Sequence, residues 1–267
     1  MSPHLITSID DPRIEAYRTL KDREIISSGR FIAEGGHLVR RLLASSFNAQ
    51  SVFVAEKHVD VIGQIVPGDV PLYVASHNLM NQIIGYKFHS GIIACGLRGT
   101  ARTIDDTISP ERLVSLMILP EIANAENLGG LFRVAAGFGV NAILLGERCC
   151  DPFIRQCVRV SMGAVFTVPV IESTDLRKDL LRLRDELQID LLATVLDTDA
   201  TDLWDIRRSD RFALVLGNEA QGLDRDIIHL CQTRVTIPMQ LGTDSLNVAV
   251  SAGIFLFSLS SCGRGQG

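Results

Sequence analysis

The sequence predicts a two-part α/β protein whose C-terminal half is built on a mostly parallel sheet. Six short, nearly continuous apolar segments fall between residues 113 and 238, with helical patterns between most of them. Strands covered by helices on both faces of a parallel sheet read this way. A length of 267 residues exceeds one average domain. The polar, aperiodic stretch from Gly99 to Arg112 (GTARTIDDTISPER) divides the chain.

The first element is expected to be a helix. Asp11 caps it, Pro12 suits its first turn, Ile14, Tyr17 and Leu20 recur at helical spacing, and Gly29 stops it. Phe31–Ala33 then reads as a strand, followed by a helix with Leu38, Val39, Leu42 and Leu43 on one side. SVFVA (51–55), PLYVA (71–75) and GIIAC (91–95) read as buried strands, with SHNLMNQIIG between the last two as a short helix. Residues 1–100 are therefore a small α/β domain and 101–112 a linker. In 113–267 the strand candidates are LVSLMIL (113–119), NAILLG (141–146), AVFTVPV (164–170), DLLATVL (190–196), FALVLG (212–217) and RVTIP (234–238).

Composition narrows the function. At 46% hydrophobic and 21% charged residues the chain is globular and not disordered. Its net charge of −5 gives no global basic field for nucleic acid, though local patches are allowed. Seven cations (Arg13, Arg18, Lys21, Arg23, Arg30, Arg40, Arg41) against six acids make the first fifty residues slightly positive. Helical placement could put several of these arginines on one face; Arg40, Arg41, Arg207, Arg208 and Arg211 could form local RNA patches, though solvated faces are the commoner reading of such pairs. No apolar run is long enough for a membrane span, and the N-terminus lacks a signal-peptide pattern, so a cytoplasmic location is expected. The six cysteines (95, 149, 150, 157, 231 and 262) form no CxxC pair and read as buried free thiols. The histidines are scattered, so no metal is expected.

Ligands in open parallel sheets bind at the carboxyl ends of strands. After the first strand of this half come Glu121, Asn124, Asn127, Gly129 and Arg133. After the fifth comes GNEAQGL, and after the sixth IPMQLGTDSLNVAVSAG. Taken singly, each turn could merely cap the next helix, with Ser245 or Asn127 as an N-cap. Gly217 to Gly222 has the first spacing of a phosphate loop but lacks its Lys-Ser/Thr, and neither GxGxxG nor GxSxG is present at a strand end.

Together, NLGGLFRVAAGFG (127–139), LVLGNEAQGL (214–223) and VTIPMQLGTDSLNVAVSAGIF (235–255) resemble the three motifs of the SpoU (TrmH) family of RNA ribose 2′-O-methyltransferases, in that family's order. GRFIAEGGHLVRRLL, SVFVA and HSGIIACG resemble the ribosomal-protein-like substrate-binding domain that many members carry. The resemblance implies a C-terminal sheet tied in a deep trefoil knot (the SPOUT fold), preceded by a small α/β RNA-binding domain. It implies S-adenosylmethionine as cofactor, a homodimer that completes each active site, and RNA as substrate, ribosomal before transfer RNA.

The cofactor residues implied by the motifs are Leu216, Gly217, Asn218, Gly222, Ile237, Pro238, Met239 and Leu246, with Thr194 and Leu196 on the remaining wall. Gly217, Ile237 and Leu246 touch the cofactor mainly through backbone, so a side chain at 217 is expected to block it. The implied catalytic set is Asn127, Arg133, Glu219, Ser245 and Asn247. Arg133 is the family's base or phosphate anchor. A guanidinium keeps its proton far above neutral pH, so a bidentate grip on phosphate is the easier role. Glu219 is expected to orient an arginine, and Gly242 to allow the loop before the last helix. That helix (Val248, Ala249, Val250, Ile254, Phe255) is assigned to core or dimer packing.

Overall fold

Alternating apolar strands and amphipathic helices sort themselves onto two sheets. The computed structural model describes residues 3–18, 20–109, 113–207, 209–218, 221–239 and 245–259. In chain order the elements are β1 (His4–Leu5), α1 (Glu15–Arg18), α2 (Asp22–Ser27), β2 (Arg30–Glu34), α3 (Gly36–Leu43), β3 (Asn48–Ala55), α4 (Val59–Gly63), β4 (Leu72–Ala75), α5 (His77–Ile84), β5 (Ile92–Leu97), α6 (Ile104–Thr107), β6 (Val114–Leu119), α7 (Ala125–Gly137), β7 (Ala142–Leu145), α8 (Arg155–Val160), β8 (Val170–Glu172), α9 (Leu176–Asp185), β9 (Asp190–Thr194), β10 (Thr201–Asp202), β11 (Arg211–Val215), α10 (Arg225–Leu230), β12 (Thr233–Thr236) and α11 (Val248–Leu259). Contacts divide the chain into unit 1, residues 1–100 with 152–167, and unit 2, residues 101–151 with 168–267.

Unit 1 holds a five-stranded sheet in the order β1-β4-β3-β5-β2. β1, β4 and β3 run parallel, while β5 is antiparallel to both β3 and β2. Tyr17 is fully buried and its hydroxyl meets the carbonyl oxygen and Oγ of Ser51 at 2.9 and 2.7 Å, which satisfies the polar end of a core ring. Ser76 caps α5, and Gly85 ends it in the left-handed region at φ 84°. The single helix expected before Gly29 is two, α1 and α2, and α4 was not foreseen.

Unit 1 also takes in a segment from far down the chain. α8 packs on β2, and Phe153 and Phe166 bring their rings to 5.0 and 5.4 Å from Phe31. Arg98 lies over Phe153 at 5.0 Å. Arg155 Nη1 donates to Glu34 at 2.7 Å and to the Tyr86 hydroxyl at 3.1 Å, fixing α8 in place. This corrects two expectations. Residues 152–167 do not belong to the C-terminal unit, and 164–170 is not a strand. Ala164–Phe166 is a 3-10 turn, entered through Gly163 at φ 82°. Strand β8 begins only after Pro169, and the apolar side chains of 164–166 are buried in unit 1 instead of a sheet.

Unit 2 is a seven-stranded, all-parallel sheet in the order β10-β12-β9-β11-β6-β7-β8. In β6, Leu116, Met117, Ile118 and Leu119 are all buried, so both faces of this interior strand are covered. One face packs Leu116, Ile118, Leu144, Leu191, Ala213 and Val215 against Leu180 and Leu183 of α9. α7 packs against α11, where a Cβ on Gly130 would come within 3.1 Å of Ala249 Cβ. Bare backbone at 130 is what lets these two helices approach.

The expected linker is largely part of unit 2. Thr103 and Asp106 form a reciprocal capping box that starts α6, and Ile104 and Ile108 are buried in the α9 core. Arg182 pairs with Asp105, and residues 110–112 lie outside the described residues. The five described cysteines are free thiols. Burial pushes Cys95 and Cys150 up to about 11 and Cys231 to about 12, so they stay protonated at neutral pH.

Candidate active site

β12, β9 and β11 lie side by side, and the chain leaving each carboxyl end helps wall one cavity of about 460 Å³. That size suits a small-molecule ligand. Thr194 and Leu196 come from the end of β9, and Leu216, Gly217, Asn218 and Gly222 follow β11. Ile237 and Met239 follow β12, and Ser245 and Leu246 precede α11. Nine of the ten cofactor residues expected from sequence thus line one space. Pro238 is not among the lining residues.

The loop after β11 owes its shape to Asn218. Its Oδ1 accepts the Gln221 N–H at 2.7 Å and its carbonyl accepts the Gly222 N–H at 3.0 Å, closing a tight turn. Gly222 takes φ 70° in that turn. A Cβ on Gly217 would sit 2.3 Å from Gly222 C and 2.5 Å from Leu223 N. The crowding at 217 therefore comes from the loop's own backbone. Thr194 Oγ1 donates to the Val215 carbonyl at 3.0 Å, tying β9 to β11 at the cavity.

Two catalytic candidates meet although 120 residues separate them. Asn247 Nδ2 donates to Asn127 Oδ1 at 3.0 Å. Asn247 Oδ1 also accepts the Ala249 N–H at 2.9 Å, capping the first turn of α11, so Ser245 does not hold that position. Asn124, not Asn127, caps α7, accepting the N–H groups of Glu126 and Asn127. Asn127 is left to reach across to α11.

Arg133 lies six residues along α7, about 9 Å farther down its axis. It is exposed and is not among the cavity-lining residues. Glu219 and Gly242 lie outside the described residues. Glu121 is engaged elsewhere. It pairs with Arg148 at 2.9 Å, and Arg148 also grips Asp224 at 2.5 Å. Asp224 first and Glu121 second hold that guanidinium still more firmly protonated.

Sequence reasoning missed Ser251 and Phe255, which also line the cavity, whereas Gln221 lies in the expected cofactor loop 216–222. Phe255 faces the cavity, not only core or interface. The available signal was Val248, Ser251 and Phe255 at helical spacing, with a hydroxyl inside an otherwise apolar helix. Other arginines prove structural. Arg13 pairs with Asp11 at 2.6 Å, and Arg18 donates to the Asp11 carbonyl at 2.7 Å. Arg211 donates to the carbonyls of Leu187 and Ser109 at 3.2 and 3.0 Å, and Arg208 lies outside the described residues.

The model of the SpoU rRNA methylase family matches residues 115–257, which contain every wall of this cavity. The chain belongs to that family. An uncharacterized tRNA/rRNA methyltransferase of Mycobacterium tuberculosis is 33% identical over 96% of this chain and 91% of its own length. The 23S rRNA (guanosine-2′-O-)-methyltransferase RlmB of a Burkholderia species is 32% identical over 70% of this chain and 75% of its own length. The crystal structure of an AdoMet-bound rRNA methyltransferase from Sinorhizobium meliloti matches with a TM-score of 0.83, covering 96% of each chain. At 24% identity, that match speaks for the fold alone.

Proposed function

We propose that the protein transfers a methyl group from S-adenosylmethionine to a ribose 2′-hydroxyl of structured RNA, and that the RNA is ribosomal. The observation that carries this is the cavity at the ends of β9, β11 and β12, built from the same loops that hold the family's motifs. The walls fit the cofactor. Leu196, Leu216, Ile237 and Phe255 offer apolar surface, while Thr194, Asn218, Ser245 and Ser251 add a few polar groups. The crowded Gly217–Leu223 turn presents backbone to the space. The naming of the Burkholderia relative for 23S rRNA guanosine 2′-O-methylation favours ribosomal RNA over transfer RNA.

When bound, the sulfonium supplies an electrophilic methyl group, so the hard chemistry is the cofactor's own. The protein's part is to hold the ribose oxygen about 3–3.5 Å from that carbon, with the displaced hydroxyl proton passing to solvent. The Asn127–Asn247 pair, in which Asn247 stands between the cavity-lining Leu246 and Val248, provides donors and acceptors for the ribose hydroxyls. Arg133 keeps its proton and anchors the neighbouring phosphate with two parallel N–H groups. Since it does not line its own chain's cavity, it serves the cavity of a second copy.

The second copy has a surface to use. Val250, Gly253, Ile254 and Phe257 follow i, i+3, i+4, i+7 spacing on α11, with Val250 51% and Phe257 56% exposed. We assign this stripe to a homodimer interface in the cytoplasm. Phe257→Glu is expected to shift the protein from dimer to monomer in light scattering and to lower turnover with it. A wild type that is monomeric at full activity contradicts the shared site. The family's trefoil knot is assigned to unit 2.

The decisive experiment maps ribose methylation at nucleotide resolution in RNA from cells with and without the gene. One ribosomal RNA position loses its methyl group when the gene is absent. Loss confined to a transfer RNA moves the substrate to that class, and an unchanged map overturns the proposal.

A further inference from the structure

Unit 1 is assembled in part from two stretches without a single acidic residue. Residues 35–55 carry His37, Arg40 and Arg41, and residues 152–167 carry Arg155 and Arg159. Neither contains Asp or Glu, in a chain with 31 acids among 267 residues. The fold brings the two together. Arg41 Nη1 donates to the Met162 carbonyl at 2.7 Å, and the Met162 N–H donates to the Arg159 carbonyl at 3.1 Å. Met162 adopts φ 53°, a left-handed backbone that a bulky side chain rarely tolerates. This strained turn joins the exposed end of α3 to the end of α8.

Arg40, Arg41 and Arg159 are all exposed around it, and Met162 is 40% exposed. Among the described residues no carboxylate pairs with any of the three. Arg41 spends one donor on Met162 and keeps others. Arg155 differs, being committed to Glu34 and Tyr86. Elsewhere in unit 1, Arg13 and Lys21 are matched by Asp11 and Glu24.

We propose that the face formed by Arg40, Arg41 and Arg159 around the Met162 turn takes the phosphate backbone of structured RNA. The proposal rests on the RNA methyltransferase reading and deepens it by naming the docking surface. Guanidinium forks match phosphate oxygens two bonds at a time, and an acid-free patch concentrates positive potential locally on an acidic protein. Such contacts fix register without reading bases, which suits recognition of RNA by shape. Two helices locked by the Arg41–Met162 bond hold the charges at fixed spacing before RNA arrives.

The test uses the full chain with the double substitution Arg40→Gln and Arg159→Gln, and Arg177→Gln as a control on unit 2. Binding of a fluorescent stem–loop RNA is followed by anisotropy across a salt series, and S-adenosylmethionine binding by calorimetry. The double variant is expected to lose about tenfold or more in RNA affinity. Its plot of log affinity against log salt is shallower by about 1.4–1.8, for two lost phosphate contacts. Cofactor binding and the Arg177→Gln protein stay at wild-type values. Wild-type RNA affinity and slope in the double variant overturn this surface while leaving the methyltransferase reading intact. A wild type that binds cofactor but no RNA overturns both. If the double variant loses affinity for phosphatidylserine vesicles and not for RNA, the face belongs to a membrane and the proposal falls.

Discussion

Gly217→Val eliminates S-adenosylmethionine binding: titration calorimetry shows no heat at ligand concentrations that saturate the wild type, and the ligand-induced rise in Tm disappears. The cause lies in the loop itself. A Cβ at 217 meets Gly222 C at 2.3 Å, Gly222 O at 2.5 Å and Leu223 N at 2.5 Å, all backbone atoms that no rotamer change can move. The turn closed by Asn218 must open, and the wall after β11 moves with it. Gly217→Ala introduces the same atom and is expected to weaken binding about 100-fold, the scale of an ångström-sized misplacement in a site. The sequence alone suggested a clash with the cofactor, whereas the structure puts it one step earlier, in the shape of the loop. β9, β11 and β12 do not depend on this turn, so the far-UV circular dichroism remains that of the wild type. Retention of wild-type affinity in the alanine variant contradicts this account of the loop.

Arg133→Ala is expected to reduce single-turnover methylation of a ribosomal RNA fragment by about 10²–10³, the usual cost of removing one positioned charge-stabilising donor. Cofactor affinity stays within a few-fold, because Arg133 is absent from the cavity wall and its side chain is exposed on α7. Arg133→Lys recovers little, since an ammonium cannot reproduce the planar two-point grip. Near wild-type turnover in the alanine variant removes Arg133 from the reaction. A parallel loss of cofactor affinity places it in the wrong site.

Strands were the easiest elements to read, because β3, β6, β7, β9 and β11 are apolar runs bounded by polar turns. The same rule misread 164–170. Ala164, Val165 and Phe166 are buried, with Phe166 against Phe31, but they join no ladder, and an apolar run does not say what covers it. α6 was read as linker because its four residues are mostly polar. Its anchors, Ile104 and Ile108, are only two side chains docking on α9. The cavity loops were legible as motifs. The Asn127–Asn247 bond was not, since no spacing rule links residues 120 positions apart. The docking of Phe153 and Arg155 on unit 1 had no local signal either, because their partners are Phe31, Glu34 and Tyr86.

That docking sets a timetable for synthesis. Phe31 is fully buried, yet two of its ring neighbours, Phe153 and Phe166, are made only after β6, α7 and β7. When residue 100 leaves the ribosome, Phe31 has Phe47 beside its ring but neither Phe153 nor Phe166, and that packing waits for the chain through residue 167. At about 5–20 residues per second that interval lasts about 3–13 s. Throughout it, Phe31 and Phe47 face solvent or a chaperone. Unit 1 therefore completes its packing only once residues 152–167 have been made, after translation of unit 2 has begun.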